Sequence, residues 1–164
     1  MSKTDSLHYR LCELGGKFLK SRKSAEPWST PNKYVAVELV AAGAENPDVW
    51  ATNGYQTTMI EVKTSHADFL SDQKKWVRSE AAELADKQIG NFRYYLCPEG
   101  VIKEEELPNN WGLLVWDGKK IQKVKQATYV KSSTSMELLF ITSILSRVAK
   151  PQIFNFRKRK EKTK

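Results

Sequence analysis

Pro47-Asp48, twelve intervening residues and then Glu61-Val62-Lys63 set two acids and a lysine on what the pattern reads as two neighbouring strands. Thr57 to Thr64 alternates with a period of two, Ile60 and Val62 on one face and Met59, Glu61 and Lys63 on the other, so Glu61 and Lys63 project together. Pro47 to Thr52 places Asp48, Trp50 and Thr52 on one face, and Asn53-Gly54 signals a tight turn between the two runs. A hairpin of these strands sets Asp48 beside Glu61, with the carboxyl groups expected roughly 4–5 Å apart, near enough to share one cation. Two converging carboxylates near a lysine suit a hard divalent ion such as Mg²⁺ (or Mn²⁺). Such an ion prefers oxygen ligands and keeps waters that a substrate phosphate replaces.

These residues resemble the signature of the PD-(D/E)XK nuclease superfamily. The run that follows, Ser65-His66-Ala67-Asp68-Phe69-Leu70-Ser71-Asp72-Gln73-Lys74-Lys75-Trp76, is similar to the helix after that motif in the MmcB-like group of proposed DNA-repair nucleases. The resemblance runs from Val35 to Trp116, including a later Trp-Gly-Leu-Leu-Val strand. It implies a restriction-endonuclease-like fold, an α/β architecture in which helices flank a mixed β-sheet. It also implies metal-dependent hydrolysis of DNA phosphodiester bonds in repair or processing. In that reading Asp48, Glu61 and the backbone carbonyl of Val62 hold Mg²⁺ or Mn²⁺, and Lys63 orients the attacking water and balances developing charge. Glu38 is taken as a third carboxylate, binding a second ion or acting as a base through a water. Many relatives carry their extra acid on the first helix, which leaves Glu13 as the alternative to Glu38. Two other readings stay open: a non-catalytic DNA-binding or assembly module with a vestigial nuclease site, and a nuclease directed at RNA.

The elements that must position these groups follow from periodicity. Asp5 to Arg22 reads as a first helix with a stripe of Leu7, Leu11, Leu14 and Phe18, capped by Asp5 or Ser6; Glu13 lies away from that stripe. Ser24 to Lys33, interrupted by Pro27 and Pro31, is a connecting loop. Tyr34 to Ala42 alternates as a strand in which Glu38 shares a face with Ala36 and Val40. An acid in that setting is expensive to desolvate unless paired or coordinating, though on an edge strand it can simply face solvent. Ser65 and Asp68 match a capping box opening a helix to about Ala85, with Leu70, Val77, Ala81 and Leu84 as its expected buried stripe. Gln73 and Lys74 then point toward a phosphate at the site, and Lys75 and Arg78, farther round, toward a nucleic-acid backbone. His66 has no ligand-like neighbour in the sequence. Asn91 to Cys97 is a central strand, Val101 to Leu107 holds a short helical turn, and Trp111 to Trp116 is a further strand. Asp117-Gly118 turns the chain into a lysine-rich edge strand, Lys119 to Lys125, and Met136 to Ala149 closes the order as a helix.

At 164 residues the chain has the length of one domain, expected over residues 1–150, followed by a basic tail at 151–164 that contains Arg157, Lys158, Arg159 and Lys160. A net charge of +8 favours a polyanionic partner, here DNA, and the tail offers sequence-independent phosphate contacts. Cys12 and Cys97 are far apart with no Cys/His cluster in sequence, which argues against a disulfide framework or a structural zinc site and for reduced, buried thiols. No run of about 18 apolar residues occurs and no signal-peptide core opens the chain, so no membrane partner and a cytoplasmic location are expected. Sequence leaves oligomeric state unassigned.

Overall fold

Gly16 marks where the first helix meets the sheet: a Cβ built there would lie 2.7 Å from Val37 Cγ2, so only the missing side chain lets the two backbones approach this closely. In the computed structural model, which describes residues 3–21, 30–42 and 45–153, that helix is α1 (Lys3–Lys20). It begins two residues before Asp5, so neither Asp5 nor Ser6 is its cap. Its contact face is wider than the narrow stripe of the pattern. Leu11, Cys12 and Leu19 are buried, whereas Leu7, Leu14 and Phe18 are half-buried.

Six strands follow in the order β1 (Tyr34–Val37), β2 (Val49–Thr52), β3 (Thr57–Val62), β4 (Phe92–Pro98), β5 (Trp111–Trp116) and β6 (Ile121–Lys125), and they lie in the sheet in that same order. β1, β2 and β3 pair antiparallel, β3–β4 and β4–β5 parallel, and β5–β6 antiparallel, giving an α/β fold with a mixed sheet. Alternation along each strand divides the core in two. Val49, Ile60, Val62, Leu96 and Leu114 face α1, while Trp50, Met59, Tyr95, Cys97 and Leu113 face the other helices. Full burial of such a side chain is worth about 1.5–3 kcal/mol, so each layer of the sheet is anchored by several residues. The β2–β3 connection is four residues rather than two. Asn53 Oδ1 accepts from the N–H groups of Tyr55 and Gln56, both at 2.9 Å, and Gly54 takes a φ of +98°.

β1 is shorter than the alternation suggests, because Glu38 adopts a φ of +50° and leaves the strand at once. The helix expected from Ser65 to Ala85 is broken into α2 (His66–Gln73), a 3-10 turn at Trp76–Arg78 and α3 (Glu80–Leu84). Ser65 does cap α2, its Oγ accepting from the Asp68 N–H at 3.2 Å. The expected stripe is therefore not the buried one: Leu70 and Leu84 are exposed, and Phe69, Asp72 and Ala82 are buried instead. In an unbroken helix at 3.6 residues per turn, Arg78 would sit about 120° round from Asp72. The extended conformation of Lys75 turns the chain back so that Arg78 Nε donates to Asp72 Oδ2 at 2.9 Å.

α4 (Thr134–Val148) reaches the sheet through its first turns. Glu137 is buried and accepts from Trp50 Nε1 at 2.6 Å, Thr57 Oγ1 at 2.7 Å and the Gly90 N–H at 2.8 Å, while Phe140 stacks on Trp50. Leu138, Ile141, Leu145 and Val148 stay exposed. Both cysteines are free and buried. Among the described residues no helix is long and apolar enough to cross a membrane. The tail residues Arg157, Lys158, Arg159 and Lys160 lie outside the described residues, as does most of the loop that opens at Ser24.

Candidate active site

Glu61 and Lys63 leave β3 on the face away from α1, and each is only 4% exposed. Lys63 Nζ lies 3.2 Å from Glu61 Oε2 and 3.3 Å from Asp72 Oδ1. The β2–β3 register ends at Val49↔Ile60, so Asp48 is the next residue opposite Glu61. Its carboxylate caps the strand end: Oδ2 accepts from the Val62 N–H at 2.6 Å, in place of a ladder hydrogen bond, and Oδ1 lies 3.4 Å from His8 Nε2. Glu38 joins this end as well. Its N–H donates to the Asp48 carbonyl at 2.8 Å, and its exposed carboxylate is 3.7 Å from His8 Nε2. Glu13 is exposed on α1 and lines a different cleft of about 660 Å³ with Lys17, Lys20, Lys33 and Tyr34.

A second set of ion pairs closes over Glu61 from the far side. Arg78 Nη2 is 3.1 Å from Glu61 Oε1, Nη1 pairs with Glu45, and the guanidinium lies 4.9 Å over the Trp111 ring. Asp72 accepts from the Tyr95 hydroxyl at 2.8 Å and pairs with Lys75 at 2.7 Å. Tyr95 stands directly across from Glu61 in the β3–β4 register. Arg78 is therefore not a backbone-contacting residue: its side chain is 6% exposed and its donors are taken by Asp72, Glu61 and Glu45. Gln73 donates to the Glu106 carbonyl at 3.2 Å, beside a His66–Glu106 pair at 2.7 Å. Lys74 is exposed, and Lys75, though tied to Asp72, is 55% exposed.

Burial acts on each of these groups, with or against the neighbouring charges. It pushes Glu61 up to about 8; Lys63 opposes the rise while Asp48 and Asp72 add to it. Asp48 is also raised by burial, against the pull of the Val62 N–H and of His8. Burial works to lower Lys63, but Glu61 and Asp72 outweigh it and hold the ammonium charged. Asp72 is held below the usual carboxylate range, its burial outweighed by Lys75, Lys63 and the Tyr95 hydroxyl. Cys12 Sγ, 3.4 Å from His8 Nε2, is pushed up by burial and then by Asp48, Glu38 and Glu61.

Asp72, Arg78 as a buried ion, Glu45, Tyr95, His8 and Cys12 did not emerge from the motif. Three of these had a local signal: Asp72 follows the buried Phe69 by three residues, and His8 and Cys12 are one turn apart, so each pair shares a helix face. Glu45 and Tyr95 join only through the tertiary fold.

No family model matches the chain, and no curated protein matches it. Among solved structures the fold is similar to a protein of unknown function from Silicibacter pomeroyi, with 22% identity and a TM-score of 0.51, over 70% of this chain and 73% of that one. At that identity the likeness concerns the fold alone.

Proposed function

We propose that the protein is a metal-dependent nuclease of the PD-(D/E)XK type, with a restriction-endonuclease-like fold, that hydrolyses DNA phosphodiester bonds. The observation that carries this reading is the placement of Asp48 opposite Glu61 in register, with Lys63 3.2 Å from Glu61 at the same end of β3. The donor set fits a hard cation, because it consists of oxygens: the two carboxylates and the Val62 carbonyl, which lies on the same strand edge as the Val62 N–H that reaches Asp48. When bound, Mg²⁺ or Mn²⁺ supplies polarisation of the phosphoryl oxygen and a more acidic water. Lys63, held by Asp72, orients the attacking water and balances charge on the transition state. Glu38, exposed beside Asp48, accepts the proton. The net charge of +8 and the exposed Lys74 and Lys75 favour a polyanionic substrate.

One observation favours a second reading, a DNA-binding module without catalysis. Both Glu61 oxygens already have cationic partners, Lys63 on one and Arg78 on the other, so the acids and lysine also make sense as a structural ion-pair network. Two variants separate the readings. Lys63→Met keeps the aliphatic stem and both carboxylates, and should lower cleavage by about 10² or more, the scale of losing one preorganised electrostatic group, with no rescue by added Mg²⁺. Asp48→Asn should lose cleavage through weaker metal binding and regain part of it as Mg²⁺ is raised. Equal cleavage by Lys63→Met and wild type would overturn the assigned role of Lys63.

A further inference from the structure

His8, Cys12, Asp48 and Glu38 bring one imidazole, one thiol and two carboxylates to the outer end of the site, a donor set unlike the oxygens around Glu61. His8 and Cys12 are one turn apart on α1, and the ligand atoms of His8, Cys12 and Asp48 all lie within 4.8 Å of one another. Around His8 Nε2 the separations are 3.4 Å to Cys12 Sγ, 3.4 Å to Asp48 Oδ1 and 3.7 Å to Glu38 Oε1. In a tetrahedral zinc site, with bonds near 2.0–2.3 Å, neighbouring ligand atoms stand roughly 3.3–3.7 Å apart. The three separations from His8 are already of that size, and an ion would draw the Cys12 thiol toward Asp48 and bring in Glu38, which touches the group only through His8.

We infer that His8, Cys12 and Asp48, with Glu38 as the fourth donor, form a binding site for a borderline-soft divalent ion of the Zn²⁺ class, distinct in ligand chemistry from the Mg²⁺ position of the proposed nuclease. A mixed N, S, O set selects such an ion over Mg²⁺, which requires oxygen ligands. His8 and Glu38 retain 29% and 41% side-chain exposure, which gives the ion a path from solvent, whereas Cys12 is buried on the inner side. Binding replaces the Cys12 thiol proton with the ion, and that proton leaves to solvent. The ion would also tie α1 to the end of β2. The site shares Asp48 and Glu38 with the proposed nuclease centre but does not depend on hydrolysis.

The test is titration of the full-length protein with Co²⁺ as a spectroscopic probe, followed by competition with Zn²⁺. The wild type should take up one Co²⁺ with a thiolate-to-cobalt charge-transfer band, and one equivalent of Zn²⁺ should remove it. Cys12→Ser should abolish the band and Cys97→Ser should keep it, since Cys97 packs on the opposite side of the sheet. His8→Ala, at a half-exposed position, should weaken binding by more than the roughly 10–100-fold lost when only an outer-shell partner is removed. Glu61→Gln should keep the band while removing Mg²⁺-dependent cleavage, so failure of either reading is seen separately. Absence of the band in wild type, its persistence in Cys12→Ser, or unchanged affinity in His8→Ala would each overturn the assignment.

Discussion

Glu61 is the side chain on which the site turns, because it is a nearly buried acid whose burial, set against Lys63, pushes it up to about 8 from an ordinary value of 4.5. Between those two values the folded protein binds more protons than the unfolded chain, so the Glu61 contribution to stability is present below 4.5 and lost as pH rises through about 8. Chemical denaturation across this window should show stability falling with pH in wild type, and Glu61→Gln should flatten that fall. A variant with the same slope would show that Glu61 titrates normally. At this scale the motif residues were legible: Glu61 and Lys63 share a face because strand alternation is a local property, and Asp48 falls opposite because the hairpin was signalled by Asn53-Gly54. Asp48 spends its oxygens on the Val62 N–H and near His8 of α1, while Glu61 is held by Lys63 and Arg78, so the two acids are opposite in register but make different hydrogen bonds and close ion pairs.

Among the elements, strands and turns were readable and the second helix was not, for a physical reason. The β4, β5 and β6 runs carry their own propensity and are bounded by Pro98, Pro108 and Asp117-Gly118, whereas α2 ends where it does because Arg78 must return to Asp72, Glu61 and Glu45 across sequence separations that no local pattern encodes. Glu38 leaves the strand that its alternation predicts for a similar reason, as nothing local announces a φ of +50°. α4 shows the same limit: the helix docks through Glu137 and Phe140, and no local pattern marks a glutamate as its buried contact. The α2 break carries its own prediction. Asp72→Ala leaves Lys63 and Arg78 without their shared buried carboxylate, and removing one partner of a buried ion pair costs about 3–5 kcal/mol. A large drop in melting temperature with retained secondary structure is expected, and an unchanged melting temperature would show that the network does not hold α2 in place.

For the whole molecule, a mixed sheet with α1 on one face and α2 and α4 on the other brings residues from α1, β2, β3 and α2 to one end of the sheet, which is why a site spread from His8 to Arg78 is compact. The net charge of +8 acts at the same scale. Removal of the residues after Phe156 should weaken DNA binding uniformly across sequences and reduce the slope of log affinity against log salt, because phosphate contacts alone are lost. An unchanged slope in a fluorescence-anisotropy salt titration would exclude the tail from binding. The central claim is metal-dependent hydrolysis, and the most direct measurement is cleavage of labelled linear, single-stranded and branched DNA, alongside RNA, by the purified wild type with Mg²⁺, with Mn²⁺ and with chelator. The account predicts strand scission of DNA that requires the metal and stops on chelation. Salt-sensitive DNA binding without scission of any substrate under either metal would contradict it and leave the binding-module reading in its place.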